Sequence, residues 1–229
     1  MASTWVVGDV HGCAAELQLL IEKIDLQEGD LLLSVGDLFH RGPDPAGVLR
    51  LLQKLGPRFD MVNGNHELQL LNRLNGRRVK TLDDLRGDGN AKMHESALPV
   101  AKELIAFIQD RAYIQRRPLP GNAWANFAAA SEWLLVHGCV LPNQVAEEIA
   151  PNQLVRKGQL KDLPGQPFWY EHWQGPEFVV FGHAQSAAGK HRNLKGEPSC
   201  YGLDTGCVYG GTLTALRVED LATVSIPAI

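Results

Sequence analysis

Three short apolar runs in the first third of the chain, at Trp5-Val7, Leu31-Val35 and Phe59-Val62, each break off at a glycine-flanked polar turn. A helical pattern follows each. Leu17, Leu20, Ile21 and Ile24 recur at the spacing of one buried helix face, and Val48, Leu51, Leu52 and Leu55 repeat it. Asp44 stands where an N-cap belongs, with Pro45 at the first helical position. A third helix is expected over Glu67-Leu74. Alternating strand and helix favour a parallel or mixed sheet with helices on its faces, and such sheets bind ligands beyond the carboxyl ends of their strands. The polar turns fall at those ends.

The segment 75–132 breaks this rhythm. A basic cluster (Arg73, Arg77, Arg78, Lys80) leads into it, and it holds a Gly-Asp-Gly-Asn turn at 87–90 and helical spacing at Ala101, Leu104, Ile105 and Ile108. It reads as a mostly helical insertion, and the basic cluster as either a solvated face or a contact for polyphosphate or an acidic peptide. Apolar runs return at Trp133-Val136 and Phe178-Phe181, and Tyr201-Leu203, Thr212-Val218 and Ala222-Ile226 read as antiparallel strands.

With 229 residues, 45% of them hydrophobic and 21% charged, the chain suits one folded domain over 1–229. Its net charge of −4 argues against DNA or RNA as the main partner. Cys13, Cys139, Cys200 and Cys207 contain no Cys-x-x-Cys pair and read as reduced thiols, mostly in the core. No apolar stretch reaches the roughly 18 residues of a membrane span, and no targeting segment precedes the first strand, so the expected location is the cytoplasm.

Five polar motifs follow apolar runs: Gly8-Asp-Val-His-Gly12, Gly36-Asp-Leu-Phe-His-Arg-Gly42, Gly64-Asn-His-Glu67, His137-Gly138 and Gly182-His183. Singly, Asp9, His11 and Asp37 could be caps and turn formers, and His137 and His183 core histidines. Together they supply the mixed imidazole and oxygen donors that two neighbouring divalent ions require: Asp9, His11, Asp37, Asn65, His137 and His183. Such a pair would polarise a shared water and neutralise a bound phosphoryl group. His66 could then protonate the leaving oxygen, and Arg41 offers a planar fork to phosphate. Other mechanisms are not written in the chain. A cysteine phosphatase needs Arg six residues after its Cys, where this chain has Leu19, Val145, Gly206 and Leu213. Neither a P-loop nor a Gly-x-Ser-x-Gly elbow is present.

In this order the motifs resemble those of the calcineurin-like metallophosphoesterases, within the phosphoprotein phosphatase superfamily that includes symmetrical diadenosine tetraphosphate hydrolases and bacterial and phage protein phosphatases. The resemblance runs from Gly8 to Gly211 and leaves 75–132 unmatched. It implies an α/β fold of four layers, mixed β-sheets packed between helices. It further implies that Asp9 and His11 bind a first metal, Asp37 bridges, and Asn65, His137 and His183 bind a second. A metal-bridging hydroxide would attack phosphorus, His66 would act as general acid, and Arg41, Asn65 and Arg156 would hold phosphate. The expected cofactors are two divalent ions, Mn with Fe or Zn as alternatives. The expected partner is a phosphorylated small molecule or a phosphoprotein.

The chain departs from the family pattern at His40, where protein phosphatases usually have an Asp that orients the catalytic His, and at Ala184-Gln185, where relatives commonly have Thr-Pro. The first departure, with the tail Leu203-Asp-Thr-Gly-Cys-Val-Tyr-Gly-Gly-Thr-Leu-Thr-Ala-Leu-Arg217, leans toward the dinucleoside polyphosphate hydrolases; Gly-Asn-His-Glu leans toward the protein phosphatases. A metal-binding module without catalysis is the remaining alternative, against which the intact His66 and Arg41 argue.

Overall fold

A computed structural model of the chain describes residues 2–75, 77–86, 92–119, 131–192, 196 and 198–229. Among the described residues, ten strands form two five-stranded sheets. The first has the order β10-β9-β1-β2-β3, with β1 (Thr4–Val7), β2 (Leu31–Ser34) and β3 (Phe59–Met61) parallel and β9 (Thr212–Arg217) and β10 (Thr223–Pro227) antiparallel beside them. The second has the order β4-β5-β6-β8-β7: β5 (Glu132–Val136), β6 (Phe178–Phe181) and β8 (Pro198–Gly202) are parallel, with β4 (Ile114–Pro118) and β7 (Gly189–Arg192) antiparallel at the edges.

The sheets face each other across Val6, Leu33, Val35, Val62, Trp133, Leu135, Phe178 and Val180, all buried. Large side chains here, such as Trp133 and Phe178, each contribute on the order of 1.5–3 kcal/mol by leaving water. On the outer face of the first sheet lie α1 (Ala14–Ile24), α2 (Pro45–Leu55), α3 (Asn65–Leu74) and α4 (Ala101–Gln109), which bury Leu17, Leu20, Val48, Leu52, Leu70 and Leu104 in one cluster. The short helices α5 (Pro151–Leu154) and α6 (Trp169–His172) cover the second sheet through Leu154 and Trp169. The result is helix, sheet, sheet, helix, the four-layer arrangement expected from the motifs. Each of α1 and α2 turns the apolar stripe of its sequence inward, and the Asp44 carboxylate caps α2 by accepting from the Gly47 amide at 2.7 Å. No described helix is long and apolar enough to cross a membrane.

The structure corrects two expectations. Among its described residues the segment 75–132 holds one α-helix, two 3₁₀ turns and the strand β4 rather than mostly helix, and Leu85, Met93, Ala97, Leu104 and Ile108 are part of the main core. The strand β4 was hidden because Gln115, Arg116 and Arg117 break the alternation; it is an edge strand, where charge and the terminal Pro118 are tolerated. The turn at 87–90 lies outside the described residues. The Tyr201-Leu203 run is not antiparallel to its tail neighbours: as β8 it lies parallel to β6, and β7, which carried no apolar signal, pairs antiparallel with it.

Candidate metal centre

Six parallel strands, three in each sheet, end on the same side of the sandwich. Asp9 and His11 follow β1, Asp37 and Arg41 follow β2, and Asn65 and His66 open α3 just after β3. From the second sheet, His137 follows β5, His183 follows β6 and Asp204 follows β8. His11, Asp37, Arg41 and His183 have positive φ of 48°, 54°, 78° and 68°, backbone conformations that non-glycine residues rarely adopt. Such strain concentrates at functional sites, where the surrounding structure holds it in place. Glycine flanks let the chains close in: a Cβ on Gly64 would collide with the Asp37 carboxylate, and one on Gly182 with that of Asp9.

Asp37 is the hub. Its Oδ2 lies 3.4 Å from His137 Nε2, 3.7 Å from His11 Nε2 and 3.8 Å from His66 Nε2, and its Oδ1 accepts from the His66 amide at 3.0 Å. Burial opposes its charge, but the imidazoles of His137, His66, His11 and His183 outweigh burial and hold its carboxyl well below the usual range. Burial pushes Asp9 the other way, upward, reinforced by the charges of Asp204 and Asp37. Burial lowers His11 and His183 to about 3, so both rings are neutral and their lone pairs free of protons at pH 7.

The donor chemistry fits cations. His137 Nδ1 donates to the Val35 carbonyl at 2.9 Å, which fixes the tautomer and leaves Nε2 as an acceptor. That lone pair faces Asn65 Oδ1 at 3.0 Å, His183 Nδ1 at 3.1 Å and Asp37 Oδ2 at 3.4 Å. His183 can supply at most one proton, so acceptors outnumber donors where the four groups converge. On the other side of Asp37, His11 Nδ1 is buried with no hydrogen-bond partner, while its Nε2 faces the carboxylates. The groups Asp37, His137, His183 and His11, Asp37, His66 each bring ligating atoms within 4.8 Å of one another. Converging acceptors around a shared carboxylate are the arrangement two divalent ions satisfy.

Asp9, His11, Asp37, Asn65 and His183 open into a cavity of about 440 Å³, lined also by Arg41, Lys157, Gln185, Asp204 and Tyr209, with His137 buried behind it. Arg41 Nη1 lies 2.6 Å from His11 Nε2, and its guanidinium covers the Tyr209 ring at 5.6 Å. Arg156, the second expected phosphate ligand, is exposed and does not line this cavity; its neighbour Lys157 does, a shift of one residue that residue type alone could not resolve. The cluster Arg73, Arg77, Arg78 and Lys80 is exposed and also does not line it. His40, read without a role, is buried: Nε2 donates to the Leu85 carbonyl at 2.9 Å, its ring stands 4.9 Å from that of His66, and burial lowers its pKa to about 4.

Two buried carboxylates escaped the sequence reading. Glu67 accepts from the amides of Asp37 (2.8 Å), Leu38 (2.9 Å) and Gly64 (2.9 Å), tying the strained Asp37 loop to the first turn of α3. Burial and Asp37 nevertheless raise it to about 7. Asp204, 6% exposed, lines the cavity and accepts from the Gly206 amide. It was legible: the Tyr201-Leu203 run ends in Asp-Thr-Gly just as the others end in glycine-flanked ligands.

The chain matches the calcineurin-like phosphoesterase family over residues 2–204. A symmetrical bis(5'-nucleosyl)-tetraphosphatase of Yersinia enterocolitica is 33% identical, the match covering 99% of this chain and 91% of the relative. The asymmetrical bis(5'-nucleosyl)-tetraphosphatase PrpE of Halalkalibacterium halodurans is 29% identical over 97% of this chain and 93% of its own. Among solved structures, a provisionally assigned diadenosine tetraphosphatase superposes with a TM-score of 0.74 at 27% identity, over 100% of this chain and 94% of that one. A Saccharomyces cerevisiae protein serine/threonine phosphatase shares the fold, with a TM-score of 0.52 at 14% identity over 99% and 79%. On these matches the chain belongs to the calcineurin-like phosphoesterases, hydrolases that use divalent metals.

Proposed function

We propose that this protein hydrolyses dinucleoside polyphosphates, with symmetrical cleavage of diadenosine tetraphosphate as its reaction, at a centre of two divalent ions, Mn²⁺ by preference. Asp9, His11, Asp37, Asn65, His137 and His183 are the residues that would hold them. When bound, such a pair activates water as a nucleophile and draws charge from the phosphoryl oxygens. Arg41 and Lys157 at the cavity mouth supply positive charge to the polyphosphate, Lys157 replacing Arg156 in that role. Tyr209, 61% exposed on the rim, offers a flat face to a base.

His40 carries the choice of substrate. A serine or threonine phosphoester expels an alkoxide and needs a strong proton donor, which a neighbouring carboxylate helps by stabilising an imidazolium. Beside His66 this protein places a neutral imidazole, lowered to about 4 by burial, whose Nε2 is turned to the Leu85 carbonyl. That pairing supports a phosphoanhydride, whose nucleotide leaving group depends less on protonation. The test is product analysis with Mn²⁺-reconstituted protein on diadenosine tetraphosphate and, separately, on a phosphoserine/phosphothreonine peptide. ADP as sole product with little peptide turnover is expected. AMP with ATP would move the attack to a terminal linkage, overturning symmetrical cleavage. Faster phosphate release from the peptide would overturn the substrate class.

A further inference from the structure

A second group of ligating side chains lies behind the catalytic cavity. Cys13 is the N-cap of α1, Glu16 sits in its first turn, and Cys207 begins the 3₁₀ turn Cys207–Tyr209 that follows Asp204. They are 4%, 6% and 3% exposed, and one ligating atom of each lies within 4.8 Å of the other two. The Cys207 and Cys13 sulfurs thus lie within 4.8 Å of each other, and Cys13 Sγ donates to the His11 carbonyl oxygen, 3.9 Å away. One Glu16 oxygen accepts from the Ile229 amide at 3.0 Å, and among the described residues no cationic side chain is paired with this carboxylate. Cys13 and Cys207 belong to the same buried apolar cluster as Ala14, Leu17, Leu213 and Ala215.

Two sulfurs and one carboxylate oxygen converging in a buried pocket make a mixed soft and hard donor set for a cation. We propose that Cys13, Glu16 and Cys207 form a binding site for a zinc-class divalent cation, distinct from the nitrogen and oxygen donors of the catalytic cavity. Sulfur ligands at about 2.3 Å from a tetrahedral ion stand roughly 3.8 Å apart, within reach of the observed spacing after small side-chain movement. The two sites differ in softness: two sulfurs and one carboxylate favour Zn²⁺ or Cd²⁺, whereas imidazole and carboxylate donors accept Mn²⁺. A disulfide between Cys13 and Cys207 would leave Glu16 without a part in the group; a cation uses all three side chains. The cation ties the loop bearing Asp204 and Tyr209 to the start of α1, two residues beyond His11, and so braces both walls of the catalytic cavity.

Cadmium titration tests this directly, because sulfur-to-cadmium charge transfer absorbs in the ultraviolet and the catalytic donors include no sulfur. The full chain, stripped with chelator, reduced, and supplied with excess Mn²⁺, is titrated with Cd²⁺. The expected result is an absorption band that saturates at about one equivalent. Cys207→Ser and, separately, Cys13→Ala should weaken the apparent affinity at least about 100-fold, more than loss of an outer-shell partner does, and Glu16→Gln about tenfold. Cys200→Ser, which removes a buried thiol outside the group, should leave the band unchanged. No band in the wild-type protein at one equivalent, or a band that survives both Cys207→Ser and Cys13→Ala, overturns the proposal.

Discussion

Removing the Glu67 side chain should destabilise the protein and loosen its metal centre together. Its two oxygens accept three backbone N–H groups, from Asp37, Leu38 and Gly64, at 2.8–2.9 Å in a site 1% exposed. Glu67→Ala leaves three buried donors unsatisfied, each costing about 2 kcal/mol. Part of this is offset. Glu67 is held near pKa 7 by burial and by Asp37, and removing it relieves about 3 kcal/mol of disfavoured charge at neutral pH. A net loss of about 3 kcal/mol follows, read as a lower urea midpoint at unchanged slope. Glu67→Gln keeps one acceptor oxygen, sufficient for Asp37 and Gly64, but turns an NH₂ toward the Leu38 amide, and should lose about 1–3 kcal/mol. Because the Asp37 amide is one of the three donors, the left-handed turn that aims its carboxylate relaxes in both variants. Mn²⁺ affinity by competition with a fluorescent chelator should therefore fall with stability. A Glu67→Ala protein that loses less than about 1 kcal/mol and binds Mn²⁺ normally would refute the reasoning.

Other perturbations separate the remaining roles. His66→Asn should retain bound metal while slowing a phosphoserine peptide by about 10²-fold or more, and diadenosine tetraphosphate by less; equal losses on both would remove His66 as proton donor. Lys157→Ala should raise KM for the dinucleotide about tenfold with kcat little changed, the signature of lost uniform binding, whereas Arg156→Ala should change neither, as steady-state kinetics will report. His40→Gln keeps a donor for the Leu85 carbonyl but cannot titrate. The folded His40 is depressed to about 4 from an ordinary 6.5, so its contribution is present above pH 6.5 and lost as pH falls through 4. Between those values the wild type should lose about 3 kcal/mol more than His40→Gln in urea unfolding; parallel pH profiles would contradict this.

Asp9, His11, Asp37, Asn65, His137 and His183 were legible as candidate ligands because each sits within four residues of the end of a short apolar run, and a strand's direction fixes where its end points. Helix positions were legible for the same local reason: the Leu17, Leu20, Ile24 stripe and the Asp44 cap are contained within one or two turns. The edge strand β4 was not, since its polar residues Gln115, Arg116 and Arg117 carry no apolar alternation and the segment is ordered as a strand by its pairing with β5. Nor could residue type choose between Arg156 and Lys157, whose difference is the direction of a side chain set by the loop after α5. Sequence alone therefore determined the kinds of candidate ligand, their order and the strand ends that carry them, properties written in neighbouring residues. Tertiary structure alone decided what those groups meet: the acceptors crowded around Asp37, Glu67 holding a loop 30 residues upstream, and Cys207 brought beside Cys13. These depend on long-range packing of two sheets, and their pKa values follow from burial that no local pattern encodes.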